Sequence, residues 1–211
     1  VHPDVFQATL EPLFFHRGPR MRAMLDEMQP GLRRLFGTRE PVFCATTSAS
    51  GLTEAAIRNG VPRRVLVVVG GFFGELFARI AEACGKEVIR AMVPPGHTIE
   101  PDQLEQFLEG PEVDAVALVH SESATGALAP LAELAEVVRK RDDVLLLVDG
   151  VTSIGATRFA MDDWGVDFAF TGSQKALALP PGLDVDAGSA RRMAQARGNP
   201  ERGRYASVAG I

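Results

Sequence analysis

Asp149 closes the apolar run Leu145-Leu146-Leu147-Val148, and Lys175 follows Val166-Asp167-Phe168-Ala169-Phe170 with no other charge for several residues on either side. A carboxylate emerging from such a run is costly unless a cation or hydrogen-bond donors meet it. Magnesium or a protonated heterocycle would meet it, or the group could cap a turn with Thr152 or Ser153. A lysine desolvated among Gly172, Ser173, Leu177 and Leu179 would have a depressed pKa suited to Schiff-base chemistry. Taken alone, Lys175 reads better as a snorkelling surface lysine.

Three other stretches could join them. TTSASG at residues 46 to 51 runs into a helical pattern, so Ser48, Ala49 and Ser50 could offer hydroxyls and backbone N–H groups to a phosphate. Alternatively, Ser48 or Ser50 is a plain N-cap. The GxxxxGK[ST] pattern of a P-loop is absent. GGFFG at 70 to 74 sets Phe72, read as core, beside Phe73, which could present its face to a planar ligand. VHSESATG at 119 to 126 holds His120 and Glu122. HxE without further ligands is a weak metal signal, and His120 reads as a satisfied structural histidine. A phosphate cradle, a stacking ring, a carboxylate and an imine-forming lysine together are what pyridoxal 5′-phosphate requires.

These stretches follow strands in a repeating pattern. Residues 41 to 48, 64 to 69, 86 to 92, 113 to 120, 144 to 149 and 166 to 170 are short, near-continuous apolar runs, and helical spacing separates them. Helices are expected over 19 to 36 (interrupted at Pro30-Gly31), 50 to 60, 75 to 84, 97 to 110 and 131 to 140. Unbroken strands alternating with helices predict an α/β fold, a mostly parallel sheet with helices on both faces. Ligands of such sheets bind beyond the carboxyl ends of the strands, where all five stretches fall.

Composition narrows the partners. The chain has 211 residues, 46% of them hydrophobic, and a formal net charge of −5. That charge provides no basic footprint for nucleic acid or for an anionic membrane surface. No apolar run approaches transmembrane length, the N-terminus lacks signal-peptide order, and a cytoplasmic protein is the default expectation. Cys44 and Cys84 have no CxxC spacing and are expected to be buried free thiols.

The order TTSASGLTEAA, GGFFG, HSESATG, VDGVTSIGA and TGSQKALALPPGL resembles the class V aminotransferases, built on the large domain of the aspartate-aminotransferase-like (fold type I) fold. Within that class, GSQKALALPPG is most similar to the serine–glyoxylate and alanine–glyoxylate (serine–pyruvate) branch. Any one motif is weak, but five occur in order, with Asp149 and Lys175 spaced 26 positions apart. The resemblance implies pyridoxal phosphate as cofactor and transfer of an amino group from serine or alanine to glyoxylate or another 2-oxo acid.

It also implies roles. Lys175 would hold the cofactor as a Schiff base and then move a proton between the substrate Cα and the cofactor's C4′. Asp149 would pair with the pyridine nitrogen and keep it protonated. Phe73 would stack on the ring, and Val151 would pack against it beside Asp149. Ser48, Ala49 and Ser50 match the phosphate turn, with Gln174 near the phosphate, and Ser123 would bond the 3-oxygen region. Position 49 is Ala where Gly is expected. A homodimer is implied for the full-length form, its partner-facing surface including the N-terminal helix and GGFFG.

Residues 1 to 211 read as the cofactor-binding large domain, with the N-terminal arm incomplete and the C-terminal small domain absent. None of Arg191, Arg192, Arg197, Arg202 and Arg204 is assigned to a substrate carboxylate, and residues 205 to 211 depart from the family pattern. Two other readings stand beside the transaminase. One is a lyase or desulfurase of the same class, which for a desulfurase needs a mobile cysteine that neither Cys44 nor Cys84 resembles. The other is a truncated, non-catalytic cofactor-binding module.

Overall fold

The computed structural model describes residues 1–199. Two helices come first, α1 (Pro3–Ala8) and α2 (Pro19–Phe36). β1 (Val42–Ala45) then leads into α3 (Ala49–Gly60), β2 (Arg64–Val69) into α4 (Phe72–Ala83), and β3 (Glu87–Met92) into α5 (Pro101–Leu108). β4 (Ala115–Val119) is followed by the small hairpin of β5 (Ser121–Glu122) and β6 (Ala127–Leu128), then by α6 (Leu131–Arg139). β7 (Leu145–Asp149), α7 (Met161–Trp164), β8 (Phe168–Gly172), β9 (Asp184–Gly188) and α8 (Ala190–Gly198) complete the order.

Seven strands form one sheet in the order β1-β9-β8-β7-β4-β2-β3. All run parallel except β9, which is antiparallel to both β1 and β8. Six strands therefore end at one edge, and β9 begins there. The alternation along β7 shows why its sequence is uniformly apolar: Leu146 and Val148 enter a core with Phe36, Leu104 and Leu134, while Leu145 and Leu147 enter one with Ile57, Phe77 and Phe168. The first core lies under α2, α5 and α6, the second under α3 and α4. This is the α/β sheet covered on both faces that the alternation of elements predicts.

Several local expectations change. α2 is continuous through Pro30 rather than interrupted. Proline removes one amide donor, but Leu32 and Leu35 beyond it pack on the first core, and tertiary packing outweighs local propensity. Helix α5 begins at Pro101 instead of residue 97, fixed there by a capping box between Glu100 and Gln103. β9 is a strand the sequence does not predict, because aspartate is disfavoured in strands; only Val185 and Ala187, on alternate positions, enter the first core. Cys44 is exposed on the edge strand β1 and Cys84 is half-buried at the end of α4, so neither is the fully buried thiol expected.

Polar contacts tie the periphery to the sheet. The Gln29 amide on α2 donates to Val42 O (2.7 Å) and accepts from Val42 N (3.1 Å), pairing a side chain with the outer edge of β1. Arg192 of α8 is fully buried, stacks 3.7 Å from the Phe168 ring centroid and donates to Ala55 O. Burial draws its pKa down to about 10, while neighbouring Asp186, itself pushed up by burial to about 6, acts to hold the arginine charged. Arg191 pairs with Asp167, so both arginines serve the fold; Arg202 and Arg204, like the stretch 205 to 211, lie outside the described residues.

The Gln29 clamp can be tested directly. Gln29→Ala leaves the buried Val42 amide and carbonyl without their partner, and should cost about 1–3 kcal/mol, read as a lower urea midpoint with an unchanged slope.

Candidate active site

Asp149 sits at the carboxyl end of β7 and is nearly buried. Its Oδ1 accepts from Val151 N at 2.9 Å, and among the described residues no hydrogen bond reaches Oδ2. Thr152 and Ser153, the alternative turn partners, bond elsewhere, to Ser121 O and Gly150 O. Desolvation pushes the Asp149 pKa up to about 6; the Val151 amide and the charge of Lys175 act the other way. The fold therefore holds a carboxylate that lacks a donor on one oxygen, at the edge where ligands of such sheets bind.

Two helices start at this edge, and their N-termini are treated differently. At α4, Glu122 Oε2 accepts from Phe73 N (3.0 Å) and Gly74 N (3.1 Å), while its Oε1 accepts from Ala124 N. A buried carboxylate thus already occupies that positive end. Gly71 is required by this approach, since a Cβ there would lie 2.5 Å from Glu122 Cγ. At α3, Ser48 takes the N-cap position in extended geometry but makes no side-chain cap bond, and the amides of Ala49 and Ser50 have no acceptor among the described residues. Of the two termini, α3 is the one left open to an anion. Ala49 is half-buried with its Cβ accommodated, and Ser48 and Ser50 are exposed.

Lys175 lies in the turn after β8, the strand beside β7. Its side chain is exposed, so the desolvation anticipated from Leu177 and Leu179 does not occur. The turn is held from below instead: Ser173 Oγ donates to Pro180 O (2.6 Å), Ser173 N to Leu183 O, and Leu179 N to Ser173 O. Ala178 adopts a left-handed φ of 54° to close it. The sequence contains three lysines. Lys86 donates to Pro62 O before β3 begins, and Lys140 pairs with Glu105 on the helical layer. Lys175 is the one at the carboxyl edge.

The remaining expected residues surround these. Phe73 is half-buried at the start of α4, with its ring 5.2 Å from that of Phe72 and perpendicular to it; Phe72 is 63% exposed and is not the core residue anticipated. Val151 packs on the second core next to Asp149, and its carbonyl accepts from Thr171. Gln174 and Ser123 are exposed, the latter at the tip of the β5–β6 hairpin. His120 is structural, packed against Phe159 and Trp164, but it is not fully satisfied: Nδ1 has no partner, and burial draws its pKa down to about 4. Its packing against the first core takes it out of the site, and no metal cluster exists among the described residues.

Two residues escape a reading of the sequence. Glu122 reads there only as a metal or acid/base group, whereas it orders the backbone carrying Phe73; the small residues of GGFFG are the available signal. Asp184, opening β9, is 2% exposed, with an Oδ1 that has no partner. Its signal is the DVD triplet after Pro180-Pro181-Gly182.

The side chains fit pyridoxal phosphate: an open helix N-terminus for the phosphate, an acid lacking one partner for the ring nitrogen, an amine in the turn after the adjoining strand and a half-exposed aromatic ring. A carboxyl raised from 3.8 to about 6 on folding lowers stability as pH climbs through that interval and leaves it lowered above. Asp149→Asn keeps the acceptor for Val151 and removes the charge. It should therefore stabilise the cofactor-free protein near pH 8 by up to about 3 kcal/mol, an advantage that vanishes near pH 4, as urea unfolding at the two pH values will show.

The family model for class V aminotransferases matches residues 21–199. An uncharacterised aminotransferase of Methanocaldococcus jannaschii is 38% identical over 87% of this chain and 48% of its own. The serine–glyoxylate aminotransferase of Methylorubrum extorquens is 33% identical over 95% of this chain and 52% of its own. The crystal structure of alanine–glyoxylate aminotransferase from Nostoc sp. superposes with a TM-score of 0.89 at 35% identity, covering 93% of this chain and 52% of that one. The chain thus spans about half the length of the relatives it matches, and across that span it belongs to the class V aminotransferase family.

Proposed function

We propose that the chain carries the cofactor site of a pyridoxal-phosphate-dependent transaminase that moves an amino group from serine or alanine to glyoxylate or another 2-oxo acid. The observation that carries this reading is the convergence at one sheet edge of Lys175, Asp149 and the uncapped start of α3. When bound, pyridoxal phosphate supplies an electron sink that makes the Cα proton of an amino acid removable. Ser48, Ala49, Ser50 and Gln174 hold the phosphate end. Asp149 grips the ring nitrogen as the anionic partner of a pyridinium, and the cation removes the desolvation penalty on the carboxylate. Phe73 would stack on the ring, Val151 would pack against it beside Asp149, and Ser123 would bond the 3-oxygen region. The Lys175 amine would be the group that holds the cofactor covalently, and as a free amine it would hold and return the proton at the substrate Cα.

The exchange balances as alanine plus glyoxylate giving pyruvate plus glycine. A desulfurase reading lacks support, because Cys44 is fixed in the β1 ladder with its thiol pKa raised by partial desolvation and by the charge of Asp186, and Cys84 ends α4, away from the carboxyl edge. No helix among the described residues is long and apolar enough to cross a membrane, and the reading places the protein in the cytoplasm. It also includes a homodimer. Phe6, Leu10, Leu13, Met24, Met28 and Phe72 are exposed along the N-terminal helices and at GGFFG, where a second copy would cover them.

Adding pyridoxal phosphate should produce a visible absorbance band that borohydride abolishes, leaving the label on the peptide containing Lys175. Lys175→Ala should show neither band nor label. Label on Lys86 or Lys140 would overturn the assignment. With the wild type, conversion of alanine or serine with glyoxylate to glycine tests the reaction, and sulfide release from cysteine would indicate the desulfurase instead.

A further inference from the structure

One buried acid beside the site has no part in the roles above. Asp184 is the first residue of β9, the antiparallel strand, and therefore lies at the same edge as Asp149 and the turn bearing Lys175. Its register partners are Ala45 on one side and Gly172 on the other. Ala45 packs on the second core, so Asp184 lies on the sheet face covered by α3, at the end where that helix begins. A Cβ on Gly172 would sit 3.1 Å from Asp184 Oδ1 and 2.8 Å from Gln174 Oε1, so the acid and the amide converge over the same glycine. Asp184 Oδ1 is buried with no hydrogen-bond partner.

We propose that Asp184 is a further cofactor-binding residue, a buried acid that must hold its proton for a phosphate group to seat at the open N-terminus of α3. The inference rests on the cofactor reading above. As a neutral acid, Asp184 has an O–H to donate toward a phosphate oxygen; as an anion, it repels the phosphate from a buried position where its charge is poorly screened.

The surrounding charges do not neutralise it. On β7 the facing group is Asp149, another acid, on which Asp184 acts repulsively. On the β8 side stand Gly172, neutral Gln174 and, farther along the turn, the exposed Lys175. β1 contributes Ala45 and Cys44, and α3 has no acidic side chain in its first turn, with Glu54 and Arg58 paired to each other beyond it. Along β9 itself, Asp186 is the acid that feels Arg192. Burial alone pushes the Asp184 carboxyl up to about 6. Below that pH the cradle is ready for phosphate; two pH units above it, about one molecule in 100 is, and the apparent affinity falls in proportion.

The test is a titration of pyridoxal phosphate, and separately of pyridoxal, which lacks the phosphate, into wild type and Asp184→Asn near pH 5 and near pH 8. Bound ligand is read by absorbance and by Trp164 fluorescence. Asp184→Asn should bind pyridoxal phosphate equally near pH 5 and up to about 100-fold more tightly near pH 8. Because both ligands carry the ring that Asp149 meets, any indirect effect through Asp149 appears with pyridoxal as well, and the gain for pyridoxal phosphate should exceed that for pyridoxal at least tenfold. Asp184→Ser, equally uncharged and smaller, carries the same expectation should the asparagine variant fold poorly. Equal gains for the two ligands, or no gain, overturn the role of Asp184 and leave the cofactor site standing. Failure of the wild type to bind pyridoxal phosphate at either pH removes the cofactor reading and this proposal together.

Discussion

The Asp149 carboxyl is carried out of water by the four aliphatic residues before it and receives a single backbone donor in return. Desolvation of a carboxylate is among the larger penalties a fold can carry, and here it is set against only one amide and a neighbouring lysine. The parallel sheet creates this situation: β7 lies at its centre, covered on both faces, so a polar side chain at the end of β7 can look only toward the edge. A cation presented there by a ligand would gain the interaction that the protein withholds. On the proposed reading, binding and folding would be coupled through one acid, and the group that weakens the cofactor-free fold would strengthen the loaded one.

The same economy separates the two helix starts at that edge. Both α3 and α4 point their N-terminal amides toward the carboxyl ends of the strands, and both would attract an anion. Glu122 satisfies α4 from within, at the cost of requiring glycine at position 71, and so fixes the backbone from which Phe73 projects. The Ser48 side chain does not perform the corresponding service for α3. An internal anion at one helix and none at the other distinguishes a structural terminus from a receptive one, although the local sequences, TTSASG and GGFFG, look equally turn-like.

How much of this is legible in the sequence differs by residue. The strands buried on both faces announce themselves, because a run such as Val65-Leu66-Val67-Val68-Val69 has no alternative location in a globular protein; this holds for β2, β4 and β7. Residues that terminate those runs, Asp149 and the turn leading to Lys175, are therefore placed correctly by position alone. Burial of single side chains is harder to read. Phe72 and Lys175 are exposed because the elements around them end at the sheet edge, a fact of tertiary arrangement that local hydrophobicity cannot encode. β9 is hidden for the opposite reason: Asp184 and Asp186 are strand-breaking in isolation, and only insertion between β1 and β8 makes that segment a strand. The helix through Pro30 belongs with these, since its continuity comes from packing on the core.

Carboxylates at the other end of the sheet behave differently, and the contrast supports the proposed site without reference to any relative. Asp114, before β4, accepts from the amides of Arg63 and Arg64, both at 2.6 Å. Asp167, before β8, accepts from Leu146 N and Ser189 Oγ and pairs with Arg191. Asp162 accepts from Thr38 and from Arg39 N. Each of these acids sits at a junction where chain segments must be joined, and each has donors on hand. Asp149 and Asp184, at the carboxyl edge, are buried at least as deeply as a structural acid need be, yet each keeps an oxygen without a donor and is driven upward in pKa by burial. Acids satisfied at one end of the sheet, and two left without a donor on either side of β8 at the other, support the reading that the binding chemistry lies at the second end. Asp149 is suited to a cation, Asp184 in its neutral form to an anion, and a ligand carrying both charges at opposite ends answers both.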